Sequence, residues 1–225
     1  IFGVGGVAVL GGLVARLHST KSGLFITALL AVSYHHIFFS QNARGYTALI
    51  FFFLLASYLF LRIVESGRMH WKTGSVYLLA IVLTCYTQPF GIFIPASHFL
   101  IALALTVLGA RSGGVNAFPL RTFSYWMAAT GVMTFLLYVP FMDGLISHAR
   151  MNIATPAEGP RFGVGLLIEI VEGLSAAFYG YAGLAIATIA GIVGVIIWLR
   201  IHVVSFIVLT LPLMIQGVVF LIMGV

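Results

Sequence analysis

Ser40-Gln41-Asn42-Ala43-Arg44-Gly45-Tyr46 gathers an arginine, two amides and a phenol between long apolar runs. Arg44 offers a planar fork of N–H donors that matches a phosphate. Gln41 and Asn42 both donate and accept, and Tyr46 stacks or hydrogen-bonds. Where the flanking runs are membrane spans, such a cluster costs free energy unless paired or solvated, so it reads as a functional site by default. The plainer reading has Arg44 snorkelling to headgroups while the amides cap helix ends.

Other candidates are more ambiguous. His35 and His36 precede the turn. Adjacent helical residues diverge by about 100°, so both do not easily ligate one metal. Packing at an interface is their plainer role, and metal ligation or proton transfer the sharper one. Gln88 beside Pro89 either caps a turn or reaches a bound headgroup. Glu169 and Glu172, three apart, are a solvated helix face, a paired acid and base, or a metal site. His148 and Arg150 are either solvated or neutralise an anionic ligand.

The elements that position these residues follow from composition. The chain has 225 residues, is 61% hydrophobic and 7% charged, and has a mean hydropathy of +1.14. Soluble domains run roughly 45–50% apolar and 25% charged. So few charges cannot coat a soluble globule, and the outer surface must face lipid. The formal charge of +6 does not point to nucleic acid, because the basic residues stand singly and form no stripe. The lone Cys85 lies in an apolar run and reads as packing. The chain starts at Ile1, inside an apolar stretch with no recognisable signal peptide, and is expected to be a piece of a longer protein.

A membrane helix needs about 20 apolar residues to cross about 30 Å at about 1.5 Å per residue. The run from Gly23 to Leu61 is too long for one span and divides at the polar turn. That from Gly74 to Ala110 divides at Thr87-Gln88-Pro89-Phe90-Gly91, because proline lacks an amide donor and glycine permits turn dihedrals. The expectation is an all-α, polytopic helical bundle in a single transmembrane domain. It has eight hydrophobic segments at 1–15, 23–40, 45–62, 74–88, 90–109, 123–141, 178–199 and 203–223.

Alternate threading puts Arg16, Lys21, Arg62, Arg68, Lys72, Arg111, Arg121 and Arg200 on one side. Arg44, Arg150 and Arg161 fall on the other. This bias marks the first side as cytoplasmic and puts both polar turns outside, with the loop 142–177, in a multi-pass cell (inner) membrane protein. Within that loop, Leu166, Leu167, Ile170, Val171 and Leu174 recur at helical spacing. Residues 163–177 therefore read as an amphipathic helix on the membrane surface. No internal repeat and no clean small-residue packing motif stands out.

These residues carry a resemblance. HHIFFSQNARGYTALIFFFLLASYLFLR, preceded by ARLHSTKSGLFITALLAVS and followed by YLLAIVLTCYTQPFGIFI, is similar to the middle of the type C membrane glycosyltransferases. The nearest group is the one related to dolichyl-phosphate-mannose protein mannosyltransferases and aminoarabinose transferase. Members read Tyr-Ser-Gln-Glu-Ala-Arg-x-Tyr at the first outer turn and Tyr-Thr-His-x-x-Gly at the next. Ser40, Gln41, Ala43, Arg44 and Tyr46, then Tyr86, Thr87 and Gly91, match. Two positions depart: Asn42 stands where the family has Glu, and Gln88 where it has His. Both bear on any acid or metal-ligand role there.

The resemblance implies inverting transfer of a sugar from a polyprenyl-phosphate donor to an acceptor protein, lipid or glycan on the extracytoplasmic side. Gln41, Asn42, Arg44, Tyr46, Gln88 and Arg150 would bind substrate. The catalytic base would lie upstream of Ile1, leaving this piece inactive alone. The leaving phosphate needs cations or a divalent metal ion to hold its charge. Two other classes stay open: a multispan transporter or channel, which would show ionisable residues near mid-span, and a noncatalytic lipid-binding subunit.

Overall fold

A computed structural model describes residues 1–41, 45–112, 118–144, 146–147, 168, 171–173, 175 and 180–223. The described chain is helical, with no strand among the described residues. It divides into two compact units, Ile1–Met142 and Asp143–Val225.

The first unit begins with α1 (Phe2–Leu17), α2 (Thr20–Ala31) and α3 (Tyr34–Gln41). Ser19 caps α2 by accepting the amide of Ser22 at 3.2 Å, which makes the α1–α2 connection a two-residue hairpin. The two helices meet at small residues four apart. A Cβ on Gly23 would stand 2.6 Å from the Gly11 carbonyl oxygen and 2.6 Å from the Ala15 Cβ, and one on Gly11 would strike the Thr27 hydroxyl. Gly11 and Ala15 on α1 thus face Gly23 and Thr27 on α2, the close backbone approach that small residues permit in lipid. No such motif stands out in the sequence, and which residues face one another is decided by the packing of the two helices.

The stretch 23–40, expected as one span, is two helices of 12 and 8 residues. Ser33 accounts for the break. Its hydroxyl accepts the His36 amide at 3.5 Å, its carbonyl accepts Ile37 N at 3.0 Å, and its own amide turns back to Leu30 O at 3.2 Å. A short polar side chain that satisfies the first amides of a new helix competes with continuation of the old one.

α4 (Tyr46–Ser66) ends at Gly67, whose φ of 61° is the left-handed closure that glycine adopts without strain. α5 (Trp71–Thr87) ends at Gln88, extended at φ −148° and ψ 126° because the following Pro89 disfavours helical geometry. A 3₁₀ turn (Pro89–Ile92) then leads into α6 (Phe93–Ser112). Gly91 sits so close to α5 that a Cβ would stand 2.7 Å from the Thr84 carbonyl oxygen, which fixes glycine at the turn. α7 (Leu120–Tyr138) continues into a second 3₁₀ turn (Val139–Phe141). Tyr138 donates its hydroxyl proton to the Cys85 carbonyl at 2.6 Å, tying α7 to the end of α5. Cys85 itself is buried.

Phe60, Ile63, Tyr77, Ile81, His98 and Phe123 are fully buried at the centre of this unit. Hydroxyls along the apolar helices return to the preceding turn: Thr84 to Ala80 O, Ser97 to Phe93 O and Thr130 to Trp126 O, all within 2.8 Å. Such bonds satisfy these three donors within their own helices, whereas the Ser57 and Thr134 hydroxyls have no partner among the described residues.

The second unit contains α8 (Tyr181–Ile201) and α9 (Val203–Met223). Trp198 donates its indole proton to Ser205 at 2.9 Å across the tight joint at His202. α8 has no buried residue, although it is predominantly apolar up to Arg200 in its last turn. A helix of that kind is stable where lipid covers it.

Among the described residues, four helical stretches are long and apolar enough to cross a membrane: Tyr46–Ser66, Pro89–Leu108, Leu120–Gly144 and Tyr181–Ile201. Phe2–Leu17, Thr20–Ala31 and Val203–Val219 are apolar but shorter. Apart from 23–40, each expected segment falls largely on one helix. The expected surface helix 163–177 lies mostly outside the described residues, of which Ile168, Val171, Glu172, Gly173 and Ser175 are helical.

Candidate functional site

The polar turn between α3 and α4 opens beside a cleft of about 620 Å³. Its walls are Phe2, Gly3, Val4 and Val7 of α1, His36, Ser40 and Gln41 of α3, and Gly45, Thr47 and Ala48 at the start of α4. Glycines on α1 set the wall spacing. A Cβ on Gly3 would collide with the Ser40 hydroxyl, and one on Gly5 would stand 2.8 Å from the Phe51 ring. Phe2 adds ring contacts at 5.8 Å to Phe51 and 5.3 Å to Phe52, so the first turn of α1 is held against α4.

His36 has a structural partner. Its Nε2 lies 3.1 Å from the Gly3 carbonyl oxygen, a bond that the imidazole makes as donor and that pins α3 to α1. Ser40 donates to the His36 carbonyl at 2.6 Å. Gln41 is the last residue of α3 and is exposed at the cleft, and Tyr46 is exposed at the first position of α4.

The second polar turn comes to the same place. A Cβ on Gly45 would stand 2.8 Å from the Thr87 methyl carbon, 3.3 Å from the Thr87 carbonyl oxygen and 3.9 Å from the Gln88 side-chain nitrogen. Gln41, Gly45, Tyr46 and Gln88 therefore belong to one end of the first unit. Asn42, Arg44 and Arg150 lie outside the described residues, as do His148 and Glu169. Glu172 is described and exposed, in the second unit.

The cleft's described polar side chains are His36, Ser40, Gln41 and Thr47, with no carboxylate among them. No three His, Cys, Asp or Glu side chains converge among the described residues. This donor set by itself does not fit a divalent cation, which takes carboxylate oxygens or several imidazoles.

One polar pair in the core was not singled out from the sequence. Tyr77 of α5 and His98 of α6 are both buried, with the tyrosine hydroxyl 2.9 Å from His98 Nδ1. His98 stacks on Phe60 at 4.5 Å and 2°, and its Nε2 is buried without a hydrogen-bond partner among the described residues. The available signal was a lone histidine inside an otherwise apolar run.

No family model, curated protein or solved structure matches this chain.

Proposed function

We propose that the chain is the donor-binding part of a membrane glycosyltransferase of the type C kind. It would transfer a sugar from a polyprenyl-phosphate carrier to an acceptor on the extracytoplasmic side of the cell (inner) membrane. The observation that carries this reading is the meeting of the two polar turns at Gly45, Thr87 and Gln88, beside a cleft with apolar α1 and α4 walls. That arrangement suits an amphiphile whose phosphate lies among polar groups and whose hydrocarbon follows an apolar wall. In this reading all eight hydrophobic segments are embedded in the membrane. Arg44 neutralises the leaving phosphate, Gln41, Asn42, Tyr46 and Gln88 orient the headgroup, and Arg150 adds charge from the loop. The base that deprotonates the acceptor is a carboxylate outside these residues.

The test is equilibrium binding of a polyprenyl monophosphate to the chain in nanodiscs, with the uncharged polyprenol as control. A charge-assisted contact contributes about 1.5–3 kcal/mol. Arg44→Ala should therefore weaken phosphate binding about ten-fold or more and leave polyprenol binding unchanged. Arg44→Lys should recover only part, because the planar fork is lost. Equal affinity in wild type and Arg44→Ala, with the fold retained, would reduce Arg44 to a membrane anchor.

A second reading, a multispan transporter, is favoured by His98, an ionisable side chain at mid-span with one ring nitrogen unpartnered. Proton uptake by the chain in sealed vesicles, abolished by His98→Phe, would favour it over the transferase. The noncatalytic lipid-binding subunit would bind the polyprenyl monophosphate but support no transfer with any added catalytic partner.

A further inference from the structure

The other end of the first unit holds a second cleft, of about 390 Å³, where the end of α1 meets the α4–α5 connection. Its charged lining is Arg16, Arg62, Glu65 and Arg68, with Ser66, His70 and Thr73 beside them. Arg16 pairs with Glu65, and its guanidinium lies 5.9 Å from the Tyr58 ring centre, so one arginine is neutralised and held in place. Arg62 and Arg68 have no ion pair among the described residues, which leaves the cleft with two uncompensated positive charges.

The backbone of the cleft is ordered by its own bonds. Gly67 closes α4 in the left-handed conformation, and Ser66 donates to Arg68 O at 2.9 Å while accepting Arg68 N at 3.3 Å. This fixes the short loop that carries Arg68. His70 occupies the N-cap of α5 without a side-chain capping bond, so the first-turn amides of this 17-residue helix are left for another acceptor at the wall lined by Thr73. Guanidinium forks, helix-start amides and a threonine hydroxyl can all donate to an acceptor with several anionic oxygens.

We propose that this cleft binds an anionic phosphate group, supplied by a lipid headgroup or as free phosphate. The proposal is independent of the donor reading. The donor reading centres on the turn before α4, whereas Arg62 and Glu65 lie in its last turns, about 24 and 29 Å along the helix from Tyr46 at about 1.5 Å per residue. A basic cleft between helix ends at the membrane surface is where anionic headgroups are held.

The experiment follows the thermal unfolding midpoint of the chain in uncharged detergent. It is titrated separately with phosphatidic acid, phosphatidylcholine and inorganic phosphate. A ligand that binds only the folded state raises the midpoint in proportion to its occupancy. Phosphatidic acid should raise it and phosphatidylcholine should not. A parallel response to inorganic phosphate shows that the phosphate alone suffices, and its absence shows that the lipid-borne group is the ligand. Arg62→Gln with Arg68→Gln should raise the apparent Kd about ten-fold or more. Thr73→Asp should weaken binding similarly by placing a carboxylate in the cleft. An acid in a first helical turn favours the helix, so this variant reports on the site even where the double variant does not fold. No midpoint shift with either phosphate probe, or an unchanged Kd in Thr73→Asp, overturns the proposal.

Discussion

The hydroxyl of Tyr77 lies 2.9 Å from Nδ1 of His98, joining α5 to α6 by a side-chain hydrogen bond in a fully buried setting. Phe60, Phe123 and Met127 close around the pair, and the His98 ring lies parallel to Phe60. The Tyr77 hydroxyl also reaches Met127 Sδ at 3.9 Å, but a thioether is a weak acceptor, so His98 Nδ1 is the partner that holds it.

Tyr77→Phe should therefore destabilise the chain by about 1–3 kcal/mol, because it leaves Nδ1 buried and unpaired. Adding His98→Leu removes the orphaned group, and the double variant should lose less than the sum of the two single losses. Coupling between polar pairs inside membrane proteins runs at about 0.6 kcal/mol, with an upper value of about 1.7 kcal/mol. Reversible unfolding in bicelles measures the cycle. Strict additivity would mean that the bond contributes nothing to stability.

Glycine substitutions should divide by what their Cβ meets. Gly23→Ala and Gly91→Ala each drive a methyl to within 2.7 Å of a helix carbonyl, at Gly11 and Thr84 respectively, and backbone does not yield as a side chain tip does. A cost of about 1–3 kcal/mol is expected for each. Gly12→Ala meets nothing within 4 Å and should stabilise α1 by up to about 1 kcal/mol. Unfolding midpoints of the three variants decide it, and a destabilised Gly12→Ala with an unaffected Gly23→Ala would contradict the α1–α2 contact.

Orientation is tested by cysteine labelling with a membrane-impermeant maleimide on intact cells. The buried Cys85 is silent. The distribution of Lys and Arg predicts the 62–73 loop inside and the 142–177 loop outside. Ala157→Cys should label and His70→Cys should not, until the membrane is opened. The reverse pattern would invert the topology and put both polar turns in the cytoplasm.

Composition and hydropathy by themselves determined that the chain is helical and that its outer surface is apolar, because lipid allows a spanning segment no unpaired backbone. They also located the breaks at Gly45 and Pro89, where residue type dictates local dihedrals over a few positions. The division of 23–40 was less visible, since a capping serine such as Ser33 is weighed against apolar runs that favour one continuous helix. Three relationships required the tertiary structure: Gly45 beside Gln88, Gly11 and Ala15 against Gly23 and Thr27, and Tyr77 bonded to His98. In each, the partners lie on different helices. Hydropathy fixes how deep a residue sits along its own helix, but the rotation of that helix and the choice of its neighbours depend on side-chain packing summed over several helices at once.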